Sequence, residues 1–93
     1  MAQISRHLTI HGRVQGVGYR DWVQREATAR QLRGWVRNRR DGTVEAVFSG
    51  SEANVEDMIQ ACWEGPAMAR TTEIEQAPCA VPEETGFTML QTL

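Results

Sequence analysis

An α+β fold is what this sequence predicts: two helices on one face of an antiparallel sheet, ordered strand, helix, strand, strand, helix, strand, with a short extra edge strand. Three observations predict it. Several short runs alternate apolar with polar residues, the period of two that marks half-buried strands. Two segments between them carry apolar residues at helical spacing. The 93 residues, 41% hydrophobic and 24% charged, suffice for one packed domain over residues 1–93 and leave no room for a second core.

The first strand runs from Arg6 to Arg13, with Leu8 and Ile10 alternating against His7, Thr9 and His11. Gly12, Gly16 and Gly18 then punctuate a short loop. Asp21 to Leu32 is rich in helix formers, with Trp22, Val23, Ala27 and Leu32 on the buried side. Gly34 opens a strand through Trp35, Val36, Arg37 and Asn38. Asp41-Gly42 signals a hairpin, and Thr43 to Ser49 returns with Val44, Ala46 and Phe48 on one face. Ser51 suits the N-cap of a second helix, followed by Glu52, Glu56 and Asp57 near its positive end. Val55, Met58, Ile59, Cys62 and Trp63 form its apolar stripe, and Gly65-Pro66 stops it. Arg70 to Ala77 alternates again, Pro78 to Thr85 is a loop, and Gly86 to Thr92 is a last strand carrying Phe87, Met89 and Leu90. Trp35, Phe48 and Trp63 are read as core rather than as a platform for a ligand. The order is the split β-α-β pattern of a ferredoxin-like sandwich, a scaffold shared by RNA binders, metal carriers, regulatory modules and enzymes.

Net charge is only −2, which conceals a division: residues 1–40 hold nine arginines against two acids, and residues 41–93 hold one arginine against ten acids. The asymmetry suggests an anion-facing first half and a solvated acidic remainder. Cys62 and Cys79 stand in no metal-ligand pattern; they can form one disulfide, but two free thiols in a reducing compartment are the expectation. The N-terminus from Met1 to Arg6 has no apolar stretch and no run reaches the ~18 residues of a membrane span, so a cytoplasmic protein without a membrane partner is expected.

The segment Gly12-Arg13-Val14-Gln15-Gly16-Val17-Gly18-Tyr19-Arg20 joins a strand to the first turn of a helix. Unpaired N–H groups and the positive end of the helix dipole make such a place receptive to anions. Gly16 and Gly18 let the backbone curl so that successive N–H groups converge. Arg20 adds a planar, two-pronged cation matched to phosphate. The spacing fits neither a P-loop nor a dinucleotide-binding fingerprint. A tight turn with a solvated Arg20 satisfies the same glycines.

The whole string resembles the first signature of the acylphosphatase family, G-x-V-Q-G-V-x-[aromatic]-R, with Tyr19 where phenylalanine is usual. Gly34-Trp35-Val36-Arg37-Asn38, followed by Gly42, Val44 and Gly50, resembles the second signature. Gly65-Pro66 and Ala69-Arg70 look like the family's turn after helix two. The resemblance runs from about residue 6 to residue 92. It implies an enzyme that hydrolyses the carboxyl-phosphate anhydride of a small acyl phosphate, releasing inorganic phosphate, with no cofactor and no metal. By the same resemblance Arg20 matches the phosphate-binding arginine, Asn38 matches the water-positioning asparagine, and the backbone of Gln15, Gly16, Val17, Gly18 and Tyr19 matches the phosphate cradle. A monomer is expected. Two departures stand out: Arg30-Gln31-Leu32 replaces the family's Leu-Gly-Leu, and Arg39 replaces the threonine that often follows the asparagine.

The chemistry agrees with those roles. An acyl phosphate has a weakly basic leaving carboxylate, so its barrier lies in bringing water in line and stabilising phosphoryl charge. Asn38 can hold a water without placing negative charge beside a dianion. His7 and His11 lie on the first strand and are read as structural or exposed. Arg37, Arg39 and Arg40 can steer anions or simply solvate a hairpin. The main rival, a nucleic-acid binder, fits poorly with a pI near 5.6 and no RNA-recognition aromatic motif. A silent anion-binding module would bind phosphate without turnover. Similar domains also open larger carbamoyl-transfer proteins; with no zinc finger here, a free-standing enzyme is expected.

Overall fold

In the computed structural model, residues 2–93 are described; Met1, included in the predicted domain, lies outside them. The elements follow the expected order: β1 (Gln3–Arg13), α1 (Tyr19–Ala29), β2 (Arg33–Asn38), β3 (Val44–Ser51), α2 (Glu52–Glu64), β4 (Arg70–Pro78) and β5 (Phe87–Met89). The strands form one sheet in the order β4-β1-β3-β2-β5. Both helices pack on the sheet against the core formed by Leu8, Ile10, Val36, Val44, Ala46 and Phe48. Each Val, Leu, Ile or Phe side chain among them contributes about 1.5–3 kcal/mol when fully buried.

Alternation decides which residues face the helices. On β3, Val44, Ala46 and Phe48 are all fully buried. Their strand neighbours Glu45 and Val47 point to the opposite, open face, because successive side chains of a strand alternate. The same parity places Asn38 on the helix face with Val36, and His7, His11, Trp35 and Arg37 on the open face.

The four principal strands pair antiparallel, as expected. The extra edge strand does not: β5 pairs with β2 in parallel, so the sheet is mixed. The reason is topological. β4 lies at one edge and β5 at the other, so residues 79–86 cross the end of the sheet where β4 finishes. A strand that starts at that end runs in the direction of β2.

Three tryptophan expectations need correction. Trp63 is 42% exposed rather than core, because the stripe of α2 is narrower than predicted and ends at Cys62. Trp22 is half-buried and only flanks the core. Trp35 is half-buried on the open face, where the Arg37 guanidinium carbon lies 4.8 Å from its ring centroid, a cation–π contact. Phe48 is core as predicted and stacks on Phe87, with centroids 5.7 Å apart.

Helix ends also shift. The predicted N-cap Ser51 is in place, its hydroxyl accepting from the Asn54 N–H at 3.2 Å. α1 starts two residues earlier than expected, at Tyr19, and ends at Ala29. Its C-terminus closes with the Leu32 N–H donating to Ala27 O and the Gln31 N–H donating to Thr28 O, each at 3.0 Å. This is a Schellman closure, and its left-handed position holds Gln31 at φ 59° where a glycine is usual. Leu32 and Ala27, both buried, supply the hydrophobic contact that goes with it.

Candidate active site

The site lies where β1 gives way to α1. Val14 is fully buried and anchors the loop, while Gly16 and Gly18 take positive φ values of 74° and 76°. A side chain at either would be strained in that left-handed region. Gly18 is the N-cap of α1, and no side chain caps this helix start. In contrast to α2, whose Ser51 caps it, α1 leaves its first N–H groups free. The backbone N–H groups of residues 15 to 21 take no acceptor among the described residues. Open amides at a positive helix end are what an anion needs.

A pocket of about 140 Å³ opens there, lined by loop residues together with Arg20, Asp21, Asn38 and Met89. Arg20 comes from the first turn of α1 and makes no ion pair or hydrogen bond among the described residues. Asn38 comes from the last position of β2, facing the helix layer. Its Oδ1 is buried and has no hydrogen-bond partner. A buried acceptor left unpaired is costly, of order 1–3 kcal/mol, so it stands out as a functional feature. Thus the structure brings Arg20, Asn38, Gln15, Gly16, Gly18 and Tyr19 together around one pocket. Val17 does not line it; its side chain packs against the core.

Side chains of two predicted cradle residues have work elsewhere. Tyr19 is buried, and its hydroxyl donates to Cys62 O at 2.6 Å, so only its backbone can face an anion. Burial, with the neighbouring Cys62, pushes the phenol well above the ordinary tyrosine range. Burial likewise pushes the Cys62 thiol up to about 12. Gln15 Nε2 donates to the carbonyls of Arg39 and Thr43 at 2.7 and 2.8 Å.

Two arginines of the hairpin, Arg37 and Arg39, are engaged elsewhere. Arg37 Nε and Arg39 Nη1 reach Glu45 Oε1 at 2.7 and 3.2 Å, and His7 Nε2 meets Glu45 Oε2 at 2.6 Å. Burial raises the Glu45 pKa, but the hydrogen bonds from His7 and Arg37 outweigh it and hold the carboxyl below its usual range. Arg30 is engaged by Glu26 and Asp57. Of the nine arginines in the first half, Arg30, Arg37 and Arg39 pair with acids, and of those acids Glu45 and Asp57 come from the second half. His11 pairs with Glu75 at 2.6 Å on the open face, away from the pocket. Asp21 and Met89 were not singled out from the sequence. Their place at the pocket depends on a helix start two residues earlier and on which strand β5 joins, neither visible in local pattern. No group of three or more His, Cys, Asp or Glu among the described residues is placed to hold a metal ion.

Fold and site together define a class: a ferredoxin-like α+β domain with an open-amide, arginine-bearing pocket at its first strand-to-helix turn. An acylphosphatase family profile matches residues 6–89. An acylphosphatase of Azorhizobium caulinodans is 56% identical over 88 residues, covering 94% of this chain and 95% of that one. The acylphosphatase structure from Coxiella burnetii superposes with a TM-score of 0.90 at 32% identity, covering 95% of this chain and 93% of that one. The one from Bacillus subtilis gives 0.88 at 35% identity, covering 94% and 98%. The chain belongs to the acylphosphatase family, a family of enzymes, and its substrate class is the acyl phosphates.

Proposed function

We propose that this enzyme hydrolyses acyl phosphates without a metal, by binding the phosphoryl group with Arg20 and the open amides of residues 15–19 and by holding the attacking water on Asn38. One observation carries the reading: the unpaired guanidinium of Arg20, the unpartnered Oδ1 of Asn38 and the open amides share one small pocket. Arg20 and the amides answer the charge on the phosphoryl oxygens, which matters most as the bond to the leaving oxygen lengthens. The water donates a hydrogen bond to Asn38 Oδ1, which turns a lone pair toward phosphorus. The P–O bond to the acyl oxygen breaks as the P–O bond to water forms. The water's second proton passes to a phosphoryl oxygen, and the carboxylate leaves unprotonated because it is a weak base. No general base is required, and His7 and His11, paired on the open face, are not used.

A monomer is taken as the active unit, and the free thiols of Cys62 and Cys79 suit the cytoplasm. No helix is long and apolar enough to cross a membrane among the described residues. The test is hydrolysis of benzoyl phosphate by the purified protein in EDTA. Turnover under those conditions is the expected result. Activity lost in EDTA and restored by Mg²⁺ would overturn the metal-free account, and a folded protein that binds phosphate without turnover would leave only an anion-binding module.

A further inference from the structure

Two halves of the pocket sit on separate elements. The amides and Arg20 belong to the β1–α1 connection, whereas Asn38 ends β2 at the β2–β3 turn. A water held on one and a phosphorus held on the other react only if the two are kept at a fixed separation. Gln15 is the side chain that ties them. Its amide nitrogen has two hydrogens, and these go to Arg39 O and Thr43 O at 2.7 and 2.8 Å. Arg39 follows Asn38 directly, and Thr43 O also accepts the Arg39 N–H at 2.8 Å. The turn is braced from its own side as well, by Asp41 Oδ1 accepting the Thr43 N–H and hydroxyl at 3.0 and 2.7 Å.

We infer that Gln15 is a positioning residue: its side-chain amide clamps the phosphate-binding loop to the Asn38 turn and sets the distance between bound phosphoryl group and bound water. This rests on the proposed reaction above and names what aligns it. Three features of the amide suit the task. It is a double donor facing two carbonyls, so neither partner is left unsatisfied. It is uncharged, so it adds no field beside a dianion. With Nε2 turned to the turn, the backbone N–H of the same residue stays free for the anion, so one residue serves both halves. Misplacement of a reacting group by about 1 Å can cost on the order of 10²-fold in rate, which makes such a clamp worth having.

The experiment is a double-mutant cycle on kcat for benzoyl phosphate, with Ki for inorganic phosphate measured alongside. Gln15→Met keeps the length and removes both donors; Gln15→Leu removes them with a shorter, uncharged side chain. Each should lower kcat by about tenfold or more while Ki for phosphate stays within about twofold, because the phosphate donors remain on the loop. In an Asn38→Ala background the same Gln15 substitutions should change kcat by less than about threefold, since the group they position is gone. An equal loss in both backgrounds would overturn the proposal, as would a lowered melting temperature with unchanged kcat, or a Ki that rises in step with the fall in kcat. Should the parent itself not turn over, the proposed reaction fails, and hydrogen exchange decides the clamp separately. The Arg39 and Gly42 N–H groups, bonded to Thr43 O and Arg39 O, exchange faster in Gln15→Met if the clamp is real and at the parent rate if it is not.

Discussion

The hydroxyl of Tyr19 donates to the carbonyl oxygen of Cys62 at 2.6 Å, joining the first residue of α1 to the last turn of α2. Carbonyls in a helix's last turn lack intrahelical partners, so this one needs outside donors. Thr71 Oγ1 is the second, at 3.0 Å. The phenol therefore caps one helix while its own backbone opens the other at the pocket. Tyr19→Phe should reduce stability by about 1 kcal/mol and not more, because Thr71 still satisfies the carbonyl. For a chain this size that is a fall of roughly 4–8 °C in melting temperature. A larger loss would mean that Thr71 cannot hold the carbonyl alone.

Alkaline pH should attack the same junction. Burial raises the folded pKa of Cys62 from 9.0 to about 12 and carries that of Tyr19 above its ordinary 10.0. Both groups hold their protons more tightly when folded, so their contribution is complete below the unfolded values and disappears as pH rises through the folded ones. Urea midpoints should be level up to about pH 8.5 and fall beyond it. Cys62→Ala should remove the part of the slope that begins near the unfolded thiol pKa. Identical slopes in parent and variant would refute this assignment.

Arg20 and Asn38 should separate binding from rate. Arg20→Ala should raise Ki for phosphate at least tenfold and abolish most turnover, since a charge-assisted, two-pronged contact is lost. Asn38→Ala should lower kcat by about 10²-fold with Ki for phosphate little changed. Steady-state kinetics with phosphate inhibition measures both, and a raised KM at normal kcat in Asn38→Ala would make Asn38 a binding residue instead.

Asp21 lines the pocket in the first turn of α1, where its carboxylate suits the helix dipole but opposes a bound dianion. Asp21→Asn should lower KM about two- to threefold at low salt, with the gain shrinking as salt screens the charge. The same change should reduce stability by no more than about 1 kcal/mol. A KM that rises would show that Asp21 assists binding.

Gln31, held at φ 59° in the closure of α1, carries the strain that a glycine would relieve. Gln31→Gly should therefore stabilise the protein by about 0.5–1 kcal/mol, read from urea unfolding, and leave turnover unchanged because the residue lies at the far end of α1 from the pocket.

Sequence alone determined the order of elements and the two signatures that carry Arg20 and Asn38. These are local matters: strand alternation, helical spacing, the Asp41-Gly42 hairpin and the Ser51 cap are each decided within a few residues. The missing glycine at Gln31 was legible too, because a left-handed closure has a fixed place after a helix. Other features were decided by tertiary structure. That β5 joins β2 in parallel depends on which sheet edge is free after β4 crosses the end of the sheet. That Trp63 is exposed and Tyr19 buried depends on how each helix is rotated against the sheet. The pairing of Arg37 and Arg39 with Glu45, neither arginine lining the pocket, follows from β2–β3 register and strand parity. Register also puts Asn38 beneath the loop and brings Thr43 within reach of Gln15. Local sequence can name the residues proposed to handle phosphate and water, but the distance between them is a long-range quantity, set by contacts between segments that local pattern does not couple.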